Sequence, residues 1–174
     1  MNFHKSSIAA LALMLVAGSG IAAEAHLLPT NAPASIVLHD QYGAPQKLSF
    51  PATNITVLTI ADKKGSEQVD GWIAILKPRY TARIDLRGLA DVGGVPGFVQ
   101  GKVRQRFQES RRYPVMMDWS GKVCAQFGYQ PGLANILILG HDGRVLGRFA
   151  GAAVETNCAA AFITLDKALL FDLK

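Results

Sequence analysis

The sequence predicts an α/β domain in which helices flank a central mixed sheet and a β-hairpin precedes it. Three patterns support this prediction. Residues 55–61 form an almost continuous apolar, β-branched run, which is typical of a strand buried on both faces. Apolar residues then recur at helical spacing over residues 66–80. Further along, two apolar runs flank an Asp142-Gly143 pair, which favours a hairpin turn.

The chain has 174 residues, of which 49% are hydrophobic, so it suits one domain and an export segment. Lys5, the apolar residues 8–17 and small residues before Ala25 predict a signal peptide over residues 1–25, a linker over 26–34 and a domain over 35–174. Cleavage after Ala23 and after Ala25 both fit. A membrane-spanning helix needs about 20 apolar residues, and the apolar run at residues 8–17 is much shorter. We therefore expect a periplasmic or secreted protein without a membrane segment after processing.

The formal net charge of +5 favours acidic partners or surfaces. No nucleic-acid-binding motif accompanies this charge, so nucleic acid is not predicted as a partner. The expected partner is an unidentified protein or small molecule. Five basic residues gather around one predicted helix and form either a docking surface or an ordinary solvated face. They are Lys102, Arg104, Arg106, Arg111 and Arg112.

The first half of the domain begins with two short strands, residues 35–40 and 47–50, joined by a turn. They predict the amino-terminal hairpin. After the buried strand at 55–61, Ser66 is a suitable N-cap for the helix that follows. Residues 81–86 alternate in polarity and predict a strand, while the glycine-rich residues 88–97 predict a loop.

The second half continues with an amphipathic helix over residues 98–109, on which Val99, Val103 and Phe107 recur every four residues. Residues 113–118 predict an edge strand, because Pro114 is tolerated there. A short helix over residues 121–127 contains Cys124. After the hairpin around Gly143, residues 155–170 predict a carboxy-terminal helix.

This order of elements resembles the thioredoxin-like superfamily, especially its peroxiredoxin and exported thiol-disulfide oxidoreductase branches. The stretches that carry the resemblance are Leu38-His39-Asp40-Gln41-Tyr42-Gly43 with Leu48, Val57-Leu58-Thr59-Ile60-Ala61-Asp62, and Ile136-Leu137-Ile138-Leu139-Gly140-His141-Asp142-Gly143-Arg144-Val145. They are similar to the superfamily's first hairpin, first core strand and closing hairpin. The resemblance implies a thioredoxin-like fold with its functional site at the end of the core strand.

The residues at the usual redox site differ from those of the superfamily. The resemblance places its Cys-x-x-Cys motif at Gly65, Ser66, Glu67 and Gln68, none of which is cysteine, and its cis-proline at Ala134. Thiol-disulfide exchange needs a thiolate. We therefore expect no redox chemistry here, and we interpret these five positions as a degenerate active site with a binding or structural role. No cofactor is expected, and Ser66 is interpreted as a helix cap rather than a nucleophile.

Cys124 and Cys158 are the two cysteines of the chain. An oxidising compartment would allow a disulfide between them, whereas the resemblance implies that their helices cover opposite faces of the sheet and leave two separate thiols. The alternative function is a divergent thiol oxidoreductase or peroxidase that uses one of them. Cys158 lies early in a predicted helix, where the helix dipole would lower its pKa.

No metal site is predicted within the domain. One alternative concerns His26, which becomes the first residue if cleavage follows Ala25. Its α-amine and imidazole would then together chelate Cu(II). Cleavage after Ala23 would remove this arrangement, and a surface histidine is the simpler interpretation.

Overall fold

The computed structural model describes residues 28–80 and 82–171. Its strands are β1 (Ser35–His39), β2 (Pro45–Ser49), β3 (Ile55–Ala61), β4 (Ile84–Asp91), β5 (Val115–Asp118), β6 (Asn135–Leu139) and β7 (Val145–Ala150). Its helices are α1 (Ser66–Tyr80), α2 (Gln100–Ser110), α3 (Lys122–Gln126) and α4 (Glu155–Phe171), with a 3-10 turn at Gly97–Val99. The predicted fold class is confirmed.

The central sheet has five strands in the order β5-β4-β3-β6-β7. Strand β3 pairs in parallel with β4, placing Ile55 beside Ile84, and antiparallel with β6, placing Thr56 beside Leu139. The sheet is therefore mixed, and the carboxyl ends of β3 and β4 lie at one end of it. The β6–β7 turn lies at the opposite end. Strands β1 and β2 form the separate amino-terminal hairpin.

Strand β3 divides the interior into two cores because alternate residues of a strand face opposite sides of the sheet. Val57 contributes to a core formed with helices α1 and α4, in which Trp72 and Leu165 are buried. Leu58 contributes to the other core, which includes the hairpin and α3. Every residue of β3 is buried, as predicted from its continuous apolar run.

Strand β4 differs from its prediction at both ends. It begins at Ile84 rather than residue 81 and continues to Asp91, through residues predicted as loop. Glycine at the centre of this strand disfavours a strand locally, but pairing in the sheet outweighs that preference. Gly88 pairs with Thr59 of β3 and with Val115 of β5. The prediction that β5 is an edge strand is confirmed by the strand order.

Helix α2 begins at Gln100, because the 3-10 turn occupies the first residues of the predicted helix. The apolar spacing on this helix is confirmed. Val103 and Phe107 are partly buried against a small cluster formed by the ends of β4 and β5. The rest of α2 is largely exposed.

Residues before β1 lie along the closing hairpin. Ala32 N–H donates to the Gly143 carbonyl at 2.8 Å, and Arg148 Nη1 donates to the Phe127 carbonyl at 2.6 Å. Arg148 also donates to the Pro29 carbonyl. Leu28 and Pro29 cover Gly128, where an added Cβ would lie 3.0 Å and 2.9 Å from their side chains. This amino-terminal strap, residues 28–32, follows the hairpin toward Gly128.

No helix within residues 28–80 and 82–171 is long and apolar enough to cross a membrane.

Candidate functional site

The turn between β3 and α1 is held by Asp62. Its Oδ1 accepts a hydrogen bond from Gly65 N–H at 2.7 Å, and its main-chain carbonyl accepts one from Ser66 N–H at 2.9 Å. The Ser66 hydroxyl donates to the Lys63 carbonyl at 2.8 Å. Ser66, which was predicted as the N-cap, is the first residue of α1, and its hydroxyl donates a hydrogen bond instead of accepting one from a helix amide. The Asp-x-x-Gly spacing is the sequence signal for this turn, since Asp side chains commonly accept from nearby backbone amides.

The same turn is joined to the loop of residues 131–134, which precedes β6. Asp62 Oδ2 accepts from Gly132 N–H at 2.7 Å, and Gln68 Oε1 accepts from Ala134 N–H at 3.1 Å. Two of the predicted positions, Gln68 and Ala134, are therefore brought together. Their contact is a hydrogen bond within the chain rather than an open binding site.

Gly65 closes the turn–loop crevice, the space between residues 62–68 and 131–134. A Cβ added to Gly65 would lie 2.2 Å from the Leu133 carbonyl oxygen and 3.0 Å from Ala134 N. No side chain fits between these backbones without moving one of them. The crevice is filled by main-chain packing at the position where the resemblance places the first redox cysteine.

The remaining predicted positions, Ser66 and Glu67, face a groove on the other side of the turn. This α1–α2 groove has a volume of about 790 Å³ and lies between the start of α1, the end of β4 and helix α2. Tyr129 and Asp91 form part of its wall and are hydrogen-bonded to each other. Sequence patterns did not reveal the groove, because its walls come from segments far apart in the chain.

Cys124 is fully buried in the core that contains the hairpin. Burial raises the pKa of its thiol, and the carboxylates of Asp118 and Asp91 raise it further. A thiol of this kind stays protonated at neutral pH and is a poor nucleophile. Cys124 lines neither the turn–loop crevice nor the α1–α2 groove.

Cys158 packs against the opposite core, and both cysteines are free thiols. The expectation of two separate thiols is confirmed, because the sheet lies between them. The expectation that the helix dipole lowers the pKa of Cys158 is wrong. Burial instead raises this pKa, and the hydrogen bonding of its backbone only partly offsets that effect.

The five basic residues around α2 do not act as one patch. Arg111 forms an ion pair with Asp70 and donates to the Ser66 carbonyl at 3.3 Å, joining α2 to the start of α1. The Arg104 guanidinium lies 5.2 Å from the centre of the Trp119 ring. Only Arg106 lines the α1–α2 groove.

His26 lies outside the described residues, so the copper arrangement stays a prediction. Among residues 28–80 and 82–171, no group of three or more His, Cys, Asp or Glu side chains is placed to hold a metal ion.

Asp118, also fully buried, organises the start of α3. Its Oδ2 accepts from Cys124 N–H at 2.9 Å, and its Oδ1 accepts from the Ser120 hydroxyl at 2.7 Å. Burial alone would raise the pKa of Asp118, but these hydrogen bonds to the charged form outweigh burial and lower it. Folding therefore stabilises the ionised form of Asp118.

Asp118→Asn is expected to lower the free energy of unfolding at neutral pH by about 2 kcal/mol, because an amide nitrogen replaces one acceptor oxygen. The folded-state pKa of Asp118 lies below the unfolded one. Its contribution is therefore complete above the unfolded value of about 4 and is lost as pH falls through the folded value. Urea unfolding of wild type and variant, measured from neutral to acid pH, should show that the difference between their free energies of unfolding becomes smaller as pH falls. A constant gap, or an equal effect of Glu109→Gln at the exposed end of α2, would contradict this assignment.

The structure is similar to those of two thioredoxin-family proteins and of a third protein without an assigned role. The exposed lipoprotein thioredoxin of Streptococcus pneumoniae is 14% identical with a TM-score of 0.58, over 76% of this chain and 100% of that chain. A thiol:disulfide interchange protein of the thioredoxin family from Chlorobium tepidum is 18% identical with a TM-score of 0.56, over 83% and 99%. An uncharacterized conserved protein from Geobacillus kaustophilus is 12% identical with a TM-score of 0.64, over 84% and 85%.

The structural similarity to the two thioredoxin-family proteins shows that this chain has a thioredoxin-like fold. The sequence matches no protein-family model and no curated protein.

Proposed function

We propose that this thioredoxin-like protein is exported and acts by binding a partner, without thiol redox chemistry at the turn between β3 and α1. The observation that carries the proposal is the state of that turn. It has no cysteine, and the Gly65 backbone lies directly against the Leu133 carbonyl, where a side chain would be needed for catalysis.

The condition of the two thiols supports the same proposal. Cys124 lies beneath the surface with a raised pKa, and Cys158 lies across the sheet, also with a raised pKa. Thiol-disulfide exchange needs a thiolate that a second sulfur atom can reach. The chain offers no pair of thiols in contact, so the alternative of a divergent oxidoreductase lacks a supporting arrangement.

An insulin-reduction assay with dithiothreitol, and a peroxide-consumption assay, test the absence of redox activity. We expect the rates with this protein to equal those of the buffer alone, because neither thiol is both ionised and accessible. An active thioredoxin provides the positive control. Cys124→Ser and Cys158→Ser should leave both rates unchanged.

Turnover that is lost in either cysteine variant would establish the oxidoreductase alternative and overturn the proposal. Turnover that both variants retain would also overturn it, because catalysis would then reside elsewhere on the domain.

Export is supported by the pattern of residues 1–25. Expression of the full chain in a bacterium, followed by fractionation and mass spectrometry, tests this part. We expect a periplasmic or secreted product that begins after Ala23 or Ala25. An uncleaved chain in the cytoplasm would contradict export.

A further inference from the structure

The floor of the α1–α2 groove is apolar. Ala90 lies at the end of β4, Val92 directly follows that strand, and Val103 and Phe107 lie on the inner face of α2. Ala61 completes the floor from β3. A groove of about 790 Å³ with such a floor has room for an apolar side chain together with neighbouring main chain.

The rim of the groove carries three exposed cations, namely Lys63, Lys64 and Arg106. None of them has an ion-pair partner among the described residues. Glu67 is the exposed acid on the same rim. The accessible side chains around the groove are therefore predominantly basic.

The other two carboxylates of the groove are already engaged. Asp62 accepts from Gly65 N–H and Gly132 N–H, each at 2.7 Å. Asp91 accepts from Gly93 N–H at 2.9 Å and from the Tyr129 hydroxyl. Each of their four oxygens has a donor within the domain. These two carboxylates form part of the groove wall. Their oxygens are occupied by hydrogen bonds within the domain, whereas the exposed lysines are available to a ligand.

Three backbone amides at the start of α1, which a small phosphate-like anion would otherwise use, are already engaged. Gly65 N–H donates to the Asp62 side chain, Ser66 N–H to the Asp62 carbonyl, and Gln68 N–H to the Gly65 carbonyl at 3.0 Å. Recognition of negative charge at this groove therefore depends on the three long basic side chains. Because the two lysines lie on the turn before α1 and Arg106 lies on α2, the cations border the apolar floor from two elements and suit carboxylates distributed along a chain.

From this arrangement we infer that the α1–α2 groove binds an extended peptide segment of a partner protein, in which an apolar side chain lies beside Asp or Glu residues. The apolar side chain packs against the floor, which includes Val103 and Phe107. The carboxylates form ion pairs with Lys63, Lys64 and Arg106. This inference rests on the binding role proposed above and assigns that role to a specific surface.

A random peptide library displayed on phage, selected against the intact domain, tests the chemistry of the ligand. We expect the recovered peptides to be enriched in Asp or Glu next to Leu, Ile, Val or Phe. Synthetic fluorescent versions then give the Kd by anisotropy. Lys64→Glu and Arg106→Glu are each expected to raise the Kd about tenfold, by replacing attraction with repulsion.

Lys102→Glu is the matched control, because Lys102 is equally basic, exposed on α2 and outside the groove lining. It should leave the Kd almost unchanged. Replacement of the peptide's acidic residues by Asn or Gln, or of its apolar residue by Ser, should also weaken binding. Circular dichroism establishes that each variant is folded.

Failure to recover any peptide, recovery of peptides without acidic residues, or equal weakening by Lys102→Glu would each overturn the inference. Peptides that bind with the same affinity to the groove variants would overturn it too, while leaving a binding role at another surface. Thiol turnover in the insulin assay would instead remove the proposed function, whichever peptides bind.

Discussion

Gly65→Ala is expected to lower the free energy of unfolding by about 3 kcal/mol, because an added methyl group must displace packed main chain. The Cβ of alanine would lie 2.2 Å from the Leu133 carbonyl oxygen and 2.4 Å from its carbon. Gly65 does not have a positive φ. The expected loss is therefore steric and does not come from an unfavourable backbone conformation. Urea unfolding followed by circular dichroism measures the change.

Gly101→Ala provides the matched control. Gly101 lies in α2, and an added Cβ there meets no atom within 4 Å. Alanine favours a helix over glycine by up to about 1 kcal/mol, so this variant should be slightly more stable than wild type. A Gly65→Ala protein as stable as Gly101→Ala would show that the turn–loop crevice is open in solution.

Trp72→Ala is expected to have a still larger effect, a loss of about 4 kcal/mol in the free energy of unfolding. Trp72 lies on helix α1 and is fully buried in the core between the sheet and helices α1 and α4. Its ring centre lies 6.2 Å from that of Phe149, and its Nε1–H donates to the Gly151 carbonyl at 2.8 Å. The substitution removes the apolar contacts, the aromatic pair and the hydrogen bond together.

Two further variants separate these contributions. Trp72→Phe keeps an aromatic ring but removes the donor to Gly151, so we expect a smaller loss of about 2 kcal/mol. Trp119→Ala removes the other tryptophan, which is partly exposed and stacks with Arg104. Trp119→Ala should lower the free energy of unfolding by about 1 kcal/mol. If Trp119→Ala proved as damaging as Trp72→Ala, the assignment of the main core to Trp72 would be wrong.

The sequence predicted those parts of the fold that depend on local patterns. The continuous apolar run of β3 identified a buried strand, and Pro114 identified β5 as an edge. The boundary of β4 could not be predicted in the same way. Gly88 weakens a local strand pattern, and only its pairing with Thr59 and Val115 keeps it in the sheet.

The candidate site was less accessible to sequence reasoning. Alignment with the superfamily located the turn at Gly65 and its missing thiol, but not the contact with Leu133, which joins residues far apart in the chain. The hydrogen bond from Gly65 N–H to the Asp62 side chain was not predicted, although the Asp62–Gly65 spacing is a local signal for it. The second bond of the Asp62 side chain, to Gly132, needs the tertiary fold. The tertiary fold also decides which of the five basic residues around α2 borders the α1–α2 groove. Only Arg106 does so, and the spacing of basic residues in the sequence does not show this.

The path of the amino-terminal strap determines where the domain can be attached to a surface without obstructing the α1–α2 groove. Leu28 rests on Gly128, next to Tyr129 in the groove wall, so a linker joined at Leu28 would start near the α1–α2 groove. Phe171, at the end of α4, instead borders a recess with Ile55 and His141, at the far end of the sheet. Immobilisation through the carboxyl terminus therefore leaves the groove facing outward.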